Sequence, residues 1–132
     1  MLKTSWLIAL LALLPALTQA GPVEGLLDEY RKQGAGDFSA TNGAAQWQQV
    51  YRAKGGKGER SCTSCHGSDL SKAGKHAKTG KRIEPMALSV NSERLGDKSK
   101  IEKWFKRNCK WTLGRVCTPQ EKGDFLSFLQ QQ

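Results

Sequence analysis

The chain has 132 residues, 38% of them hydrophobic, and its 21 Lys and Arg against 12 Asp and Glu give a formal net charge of +9. This length accommodates one domain with a modest core, and no segment beyond the first twenty residues is apolar enough to cross a bilayer. The basic residues are spread along the chain without a compact block, which argues against a nucleic-acid site and leaves docking to acidic proteins, or plain solubility, as the use of the charge.

The chain opens with "MLKTSWLIALLALLPALTQA". Lys3 precedes an apolar run from Trp6 to Leu14, Pro15 breaks the run, and the small residues Thr18 and Ala20 stand where a signal peptidase reads. The run is shorter than a membrane anchor requires, so residues 1–20 are expected to be a signal peptide cleaved after Ala20. The exported remainder keeps a charge of about +8, because residues 1–20 contain Lys3 and no acid. Export also permits a disulfide.

Residues 21–36 are expected to be an N-terminal extension, with one domain over 37–132. In the extension, "PVEGLLDEYRKQG" places Val23, Leu26, Leu27 and Tyr30 at helical spacing, and Gly34 and Gly36 end the helix. A second helix is expected over "GAAQWQQVYRAKGG", with Trp47, Val50, Tyr51 and Lys54 on one face and Gly55-Gly56 as its stop. Residues 71–95 show no periodicity. An irregular stretch of that length in a small domain has a use, and wrapping a large flat ligand is one. Order returns at "SKIEKWFKRN", where Ser99 and Glu102 have the spacing of a capping box and Ile101, Trp104, Phe105 and Asn108 follow as one stripe. The last helix has Thr118 as its cap, Pro119 in its first turn and Glu121 to complete a box, with Phe125, Leu126, Phe128 and Leu129 as its buried side. No strand is expected, and the fold class is all-α.

The chemistry centres on "CTSCH", Cys62, Cys65 and His66. Two thiols with a two-residue spacer reach the two vinyl groups of one haem as thioethers, and the adjacent histidine falls under the iron as proximal ligand. The alternatives explain less. A zinc site of Cys62, Cys65, Cys109 and Cys117 leaves His66 without a role, and a redox dithiol lacks the strand that precedes a thioredoxin-type motif. The helix before the motif, the irregular middle and the helix at the end resemble a class I cytochrome c over residues 37–131. That fold implies crossed terminal helices and loops enclosing one covalent haem c.

Spacing leaves the sixth iron position open. Met86 in "RIEPMALS" offers a thioether, but it stands close in sequence to His66 and serves equally as packing. His76 lies among glycine and lysine and suits an exposed loop. Asn108 is a polar residue on an apolar stripe, and a hydrogen bond or a helix C-cap would account for it.

Taken together, "CTSCHGSDL", "KTGKRIEPMA" and "EKWFKRNCKWTLGRVCTPQEKGDFLSFL" resemble the Sphaeroides haem protein and cytochrome c″ group of exported class I cytochromes. The resemblance implies a disulfide between Cys109 and Cys117, and a labile sixth ligand at the residue before the first of them, here Asn108. It also implies binding of diatomic molecules (oxygen, nitric oxide, carbon monoxide) by the reduced form, and a dihaem cytochrome c and a membrane cytochrome b as partners. An asparagine carbonyl is a hard, weak donor that suits ferric better than ferrous iron. A loop closed by Cys109 and Cys117 contributes roughly 2.5 kcal/mol in the chain-entropy view, and Gly114 supplies its flexibility. The expected function is that of a periplasmic monohaem electron carrier whose iron opens on reduction. A His/Met86 shuttle and a gas carrier or sensor are the alternatives. No acid–base constellation for substrate chemistry is present, so oxygen or nitric oxide reduction, if any, belongs to the iron. Lys72, Lys75, Lys78 and Lys81 are the candidate docking charges for acidic partners.

Overall fold

A computed structural model describes residues 21–53, 55–56 and 58–132. The expected signal peptide, residues 1–20, and Lys54 lie outside the described residues. Among the described residues five helices run in the order α1 (Pro22–Lys32), α2 (Ala40–Gln48), α3 (Thr63–His66), α4 (Lys98–Thr112) and α5 (Pro119–Leu129). Two small antiparallel ladders lie between them. β1 (Tyr51–Arg52) pairs with β2 (Glu59–Arg60), and β3 (Gly74–Lys75) pairs with β4 (Arg82–Ile83). The protein is mostly helical, as expected, but the two ladders overturn the expectation of no strand, because glycine-rich turns let short segments pair back on themselves.

The core forms where α2 crosses α5. A Cβ on Gly43 would stand 2.1 Å from the Asp124 carbonyl oxygen, so the helix backbones meet at a point where only glycine fits. Trp47 of α2 packs beside this crossing, its ring 6.3 Å from Phe125 and 6.0 Å from Phe128. Asp124 is buried at 2% exposure and fully engaged. It accepts hydrogen bonds from the Ser39 backbone N–H at 2.8 Å and from the Gln120 side-chain amide at 3.0 Å, so it ties the start of α2 to α5. The capping box of α5 is present as the sequence indicates, with Thr118 and Glu121 bonded reciprocally.

Helix α1 buries Val23, Leu26 and Tyr30 in the same apolar cluster as Phe125, Leu126 and Leu129 of α5. The Tyr30 hydroxyl donates to Glu102 of α4, and Lys122 of α5 pairs with the same carboxylate at 2.8 Å. These contacts overturn the expected capping box of α4. Glu102 is drawn sideways into Tyr30 and Lys122, and Asp97 caps the helix instead, accepting from the Lys100 N–H at 2.9 Å.

The second helix also differs from expectation. It starts earlier, with Ser39 as cap, and ends at Gln48. The chain then turns into β1, because Gly55, Gly56 and Gly58 all take positive φ and fold Tyr51–Arg60 into a hairpin rather than stopping a helix. Val50, expected on one helix face with Trp47, lies beyond the helix and is 56% exposed, whereas Trp47 is buried.

Candidate functional site

The "CTSCH" stretch is a single helical turn held by its own hydroxyls. The buried Ser61 accepts from or donates to Thr63 at 2.6 Å, and its N–H donates to the Ser64 hydroxyl at 2.9 Å. The His66 N–H returns to the Cys62 carbonyl at 3.1 Å, and Gly67, at φ 73°, ends the turn. Cys62 and Cys65 are half-buried and not bonded to each other. Burial pushes the Cys62 thiol up to about 12, so it is protonated at neutral pH. The Cys65 sulfur accepts from the Ala77 N–H at 3.4 Å, which ties the β3–β4 hairpin to this turn.

His66 sits against the core. Its ring is 5.3 Å from that of Trp47, and burial, with a smaller contribution from the nearby Arg94 charge, pulls its pKa down to about 4. The imidazole is thus neutral at physiological pH, the state in which it can ligate iron. Its Nδ1 is buried without a hydrogen-bond partner among the described residues. Four residues on, the Leu70 carbonyl accepts from both Met86 (3.0 Å) and Ala87 (2.9 Å). Met86 is half-buried against the apolar cluster. His76 is exposed, and its Nδ1 accepts from Lys78 and Thr79 N–H groups in the hairpin turn.

Helix α4 does not bury the stripe read from the sequence. Its inward face runs through Ile101, Phe105, Cys109 and Thr112, spaced so that Phe105 meets Phe125 at 6.2 Å. Trp104 is 50% exposed and Asn108 is exposed beside it at i+4, on an adjoining strip. An indole and a carboxamide are thereby presented together. Cys109 and Cys117, both buried, have their Cα atoms 5.6 Å apart and their sulfurs within bonding distance. Gly114, at φ 75°, closes the loop between them, and Arg115 clamps it to Glu121 through two hydrogen bonds at 2.7 and 2.8 Å.

Over residues 33–129 the chain matches the family described as a domain of unknown function, DUF1924. It is 39% identical over 119 residues to the cytochrome c-type protein SHP of Cereibacter sphaeroides, a match covering 89% of this chain and 90% of that protein. The chain belongs to this family of c-type cytochromes. The structure of oxidised SHP, described as an oxygen-binding cytochrome c, superposes with a TM-score of 0.75 at 36% identity, covering 87% of this chain and all of that one. The solution structure of Methylophilus methylotrophus cytochrome c″, described as giving insights into the structural basis of haem-ligand detachment, gives 0.71 at 32% identity, covering 83% and 93%. The fold is that of the SHP and cytochrome c″ family, and the cofactor is a single covalent haem c.

The residues present fit that cofactor. Two unpaired thiols on one turn and a neutral imidazole directly after them are the groups that attach a haem c and ligate its iron. Two neighbours of the site escaped the sequence reading. Trp47 was placed on a helix face without a destination, and Arg94 lies in a segment with no periodic signal. Both reach His66 only through tertiary packing, which no local pattern encodes.

Proposed function

We propose that this chain is a periplasmic monohaem electron carrier whose distal iron ligand, Asn108, is labile, so that the reduced protein takes up a diatomic molecule. The haem supplies one-electron iron chemistry and an axial position for that ligand. Cys62 and Cys65 hold the haem as thioethers, and His66 is the proximal ligand. Asn108 offers its carboxamide oxygen on the far side, and the Cys109–Cys117 disulfide behind it fixes how far that oxygen reaches. Met86 packs. The observation that carries the reading is the place of Asn108, exposed on α4 next to Trp104 and immediately before the buried Cys109. The oxygen binding of SHP and the haem-ligand detachment of cytochrome c″ support it.

The partners proposed are other redox proteins, a dihaem cytochrome c and a membrane cytochrome b. None of the helices among the described residues is long and apolar enough to cross a membrane. Spectra of both redox states, with and without carbon monoxide, test the central claim. The expected ferrous form is high-spin and binds carbon monoxide rapidly at neutral pH. A low-spin ferrous form with a ferric methionine-to-iron charge-transfer band would instead make Met86 the ligand and the protein a conventional shuttle.

A further inference from the structure

Three buried side-chain polar atoms find no hydrogen-bond partner among the described residues, namely Trp47 Nε1, His66 Nδ1 and Arg94 Nε. They are not scattered. The Trp47 ring lies 5.3 Å from that of His66, tilted by 44°, and the Arg94 charge acts on His66. Arg94 is held there by the backbone. Its side chain donates to the Glu84 carbonyl, its own N–H donates to Asn91 at 3.0 Å, and the Asn91 side chain donates to Pro85 at 3.0 Å. The next residues, Met86 and Ala87, are bonded to Leu70, just past His66. A short chain of hydrogen bonds thus fixes the guanidinium relative to the haem-binding turn.

That guanidinium makes no direct ion pair among the described residues, although the Glu84 charge acts on it. The neighbouring carboxylate, Glu84, is engaged by Arg82 at 2.9 Å and is exposed. The one acceptor partner of the Arg94 side chain among the described residues is a neutral carbonyl. A partly buried cation with an unsatisfied N–H calls for an anion, and guanidinium stays charged at any pH the protein meets. Haem c brings two carboxylates, its propionates. We propose that Arg94 is the counter-ion of a haem propionate, and that this pair helps set the reduction potential. The inference rests on His66 being the proximal ligand. With the cation in place the propionate stays ionised, its charge is offset near the iron, and the potential does not follow its titration.

Arg94→Gln removes the charge and keeps an amide. In the holocytochrome its midpoint potential is expected to fall and to become pH-dependent across the range where a carboxylate titrates, while wild type stays flat there. Arg94→Lys is expected to lie between the two, because it keeps the charge but not the planar fork. If Arg94 only braces residues 84–91, Arg94→Gln lowers the melting temperature and leaves the potential and its pH profile as in wild type, and the proposal fails. Should Arg94→Gln not accumulate, the wild-type holocytochrome decides alone. Redox-difference infrared spectra with isotope-labelled propionates are expected to show one carboxylate still ionised below the ordinary carboxylate range. Two propionates titrating in the ordinary range overturn the pair. The pyridine haemochrome spectrum of each sample reports thioether attachment separately, and a His66→Ala control reports proximal ligation, so failure of the underlying site reads differently from failure of the Arg94 pair.

Discussion

At the scale of single residues, Asn108 and Met86 make opposite predictions. Asn108→His puts a stronger nitrogen donor at the same point of α4, and the ferric haem is expected to become six-coordinate and low-spin. Asn108→Ala is expected to open the ferric iron, with azide and cyanide binding faster. Met86→Leu keeps an apolar side chain against the cluster and is expected to change neither behaviour. Visible spectra and stopped-flow anion binding check all three. The outcome that sinks the assignment is an unaltered Asn108→Ala together with a Met86→Leu protein converted to high spin. The turn proposed to hold the haem is contiguous in the sequence, and its proposed chemistry depends on that spacing alone. The surroundings of His66 were not legible there. Its neutrality follows from burial and from Arg94, 28 positions away in the chain, and nothing local in "NSERLGDK" marks that approach.

At the scale of elements, the α2–α5 crossing and the Cys109–Cys117 loop carry separate predictions. Gly43→Ala forces a methyl group into the Asp124 backbone, and because the nearest atom is main chain, relief requires the helices to part. The expected loss is roughly 3 kcal/mol, the upper end for overpacking, which for a domain of this size lowers the melting temperature by about 10 °C. Alkylation of the mature protein without reductant is expected to leave Cys109 and Cys117 unmodified. Cys109→Ser with Cys117→Ser should cost about 2.5 kcal/mol and also slow ferric religation after reoxidation, because Asn108 loses its brace. The Arg115–Glu121 clamp holds the Glu121 carboxyl below its ordinary value, Arg115 being the first cause. A depressed carboxyl stabilises above its unfolded value and loses that contribution as pH falls through the folded one. Arg115→Ala is therefore expected to flatten the acid limb of the stability curve. Elements with strong end signals were legible: α1 from its spacing and α5 from Thr118, Pro119 and Glu121. Those decided by tertiary competition were not. The Gly55-Gly56 pair after Trp47 reads as a helix stop but lies in a hairpin loop, and Glu102 leaves the cap of α4 for Tyr30 and Lys122.

At the scale of the whole molecule, the exposed lysines and the proposed haem site lie on one surface. The β3–β4 hairpin carries Lys75, Lys78 and Lys81, all exposed, and its turn is bonded through the Ala77 N–H to the Cys65 sulfur. Its lysines therefore sit beside the thioether edge, the shortest way in for an electron if the haem is held as proposed. Lys72 contributes less, because Asp69 pairs with it at 3.2 Å. With a formal charge of +9 on the whole chain, the long-range field is positive in the same sense as this patch. Encounter with an acidic redox protein should be steered by it, with a rate that falls as salt shortens the screening length, about 10 Å at 0.1 M. Rim charges act on association more than on the bound state. Lys75→Glu, Lys78→Glu and Lys81→Glu together are thus expected to lower the second-order rate of reduction by an acidic electron-transfer protein at least tenfold at low ionic strength and much less at high. Reduction by a small uncharged reagent should be unchanged, and so should the haem spectrum. If the triple variant matches wild type with the acidic partner at every salt concentration, docking lies elsewhere. The cleft beside Arg52, Arg60 and Lys110 is then the next surface to reverse.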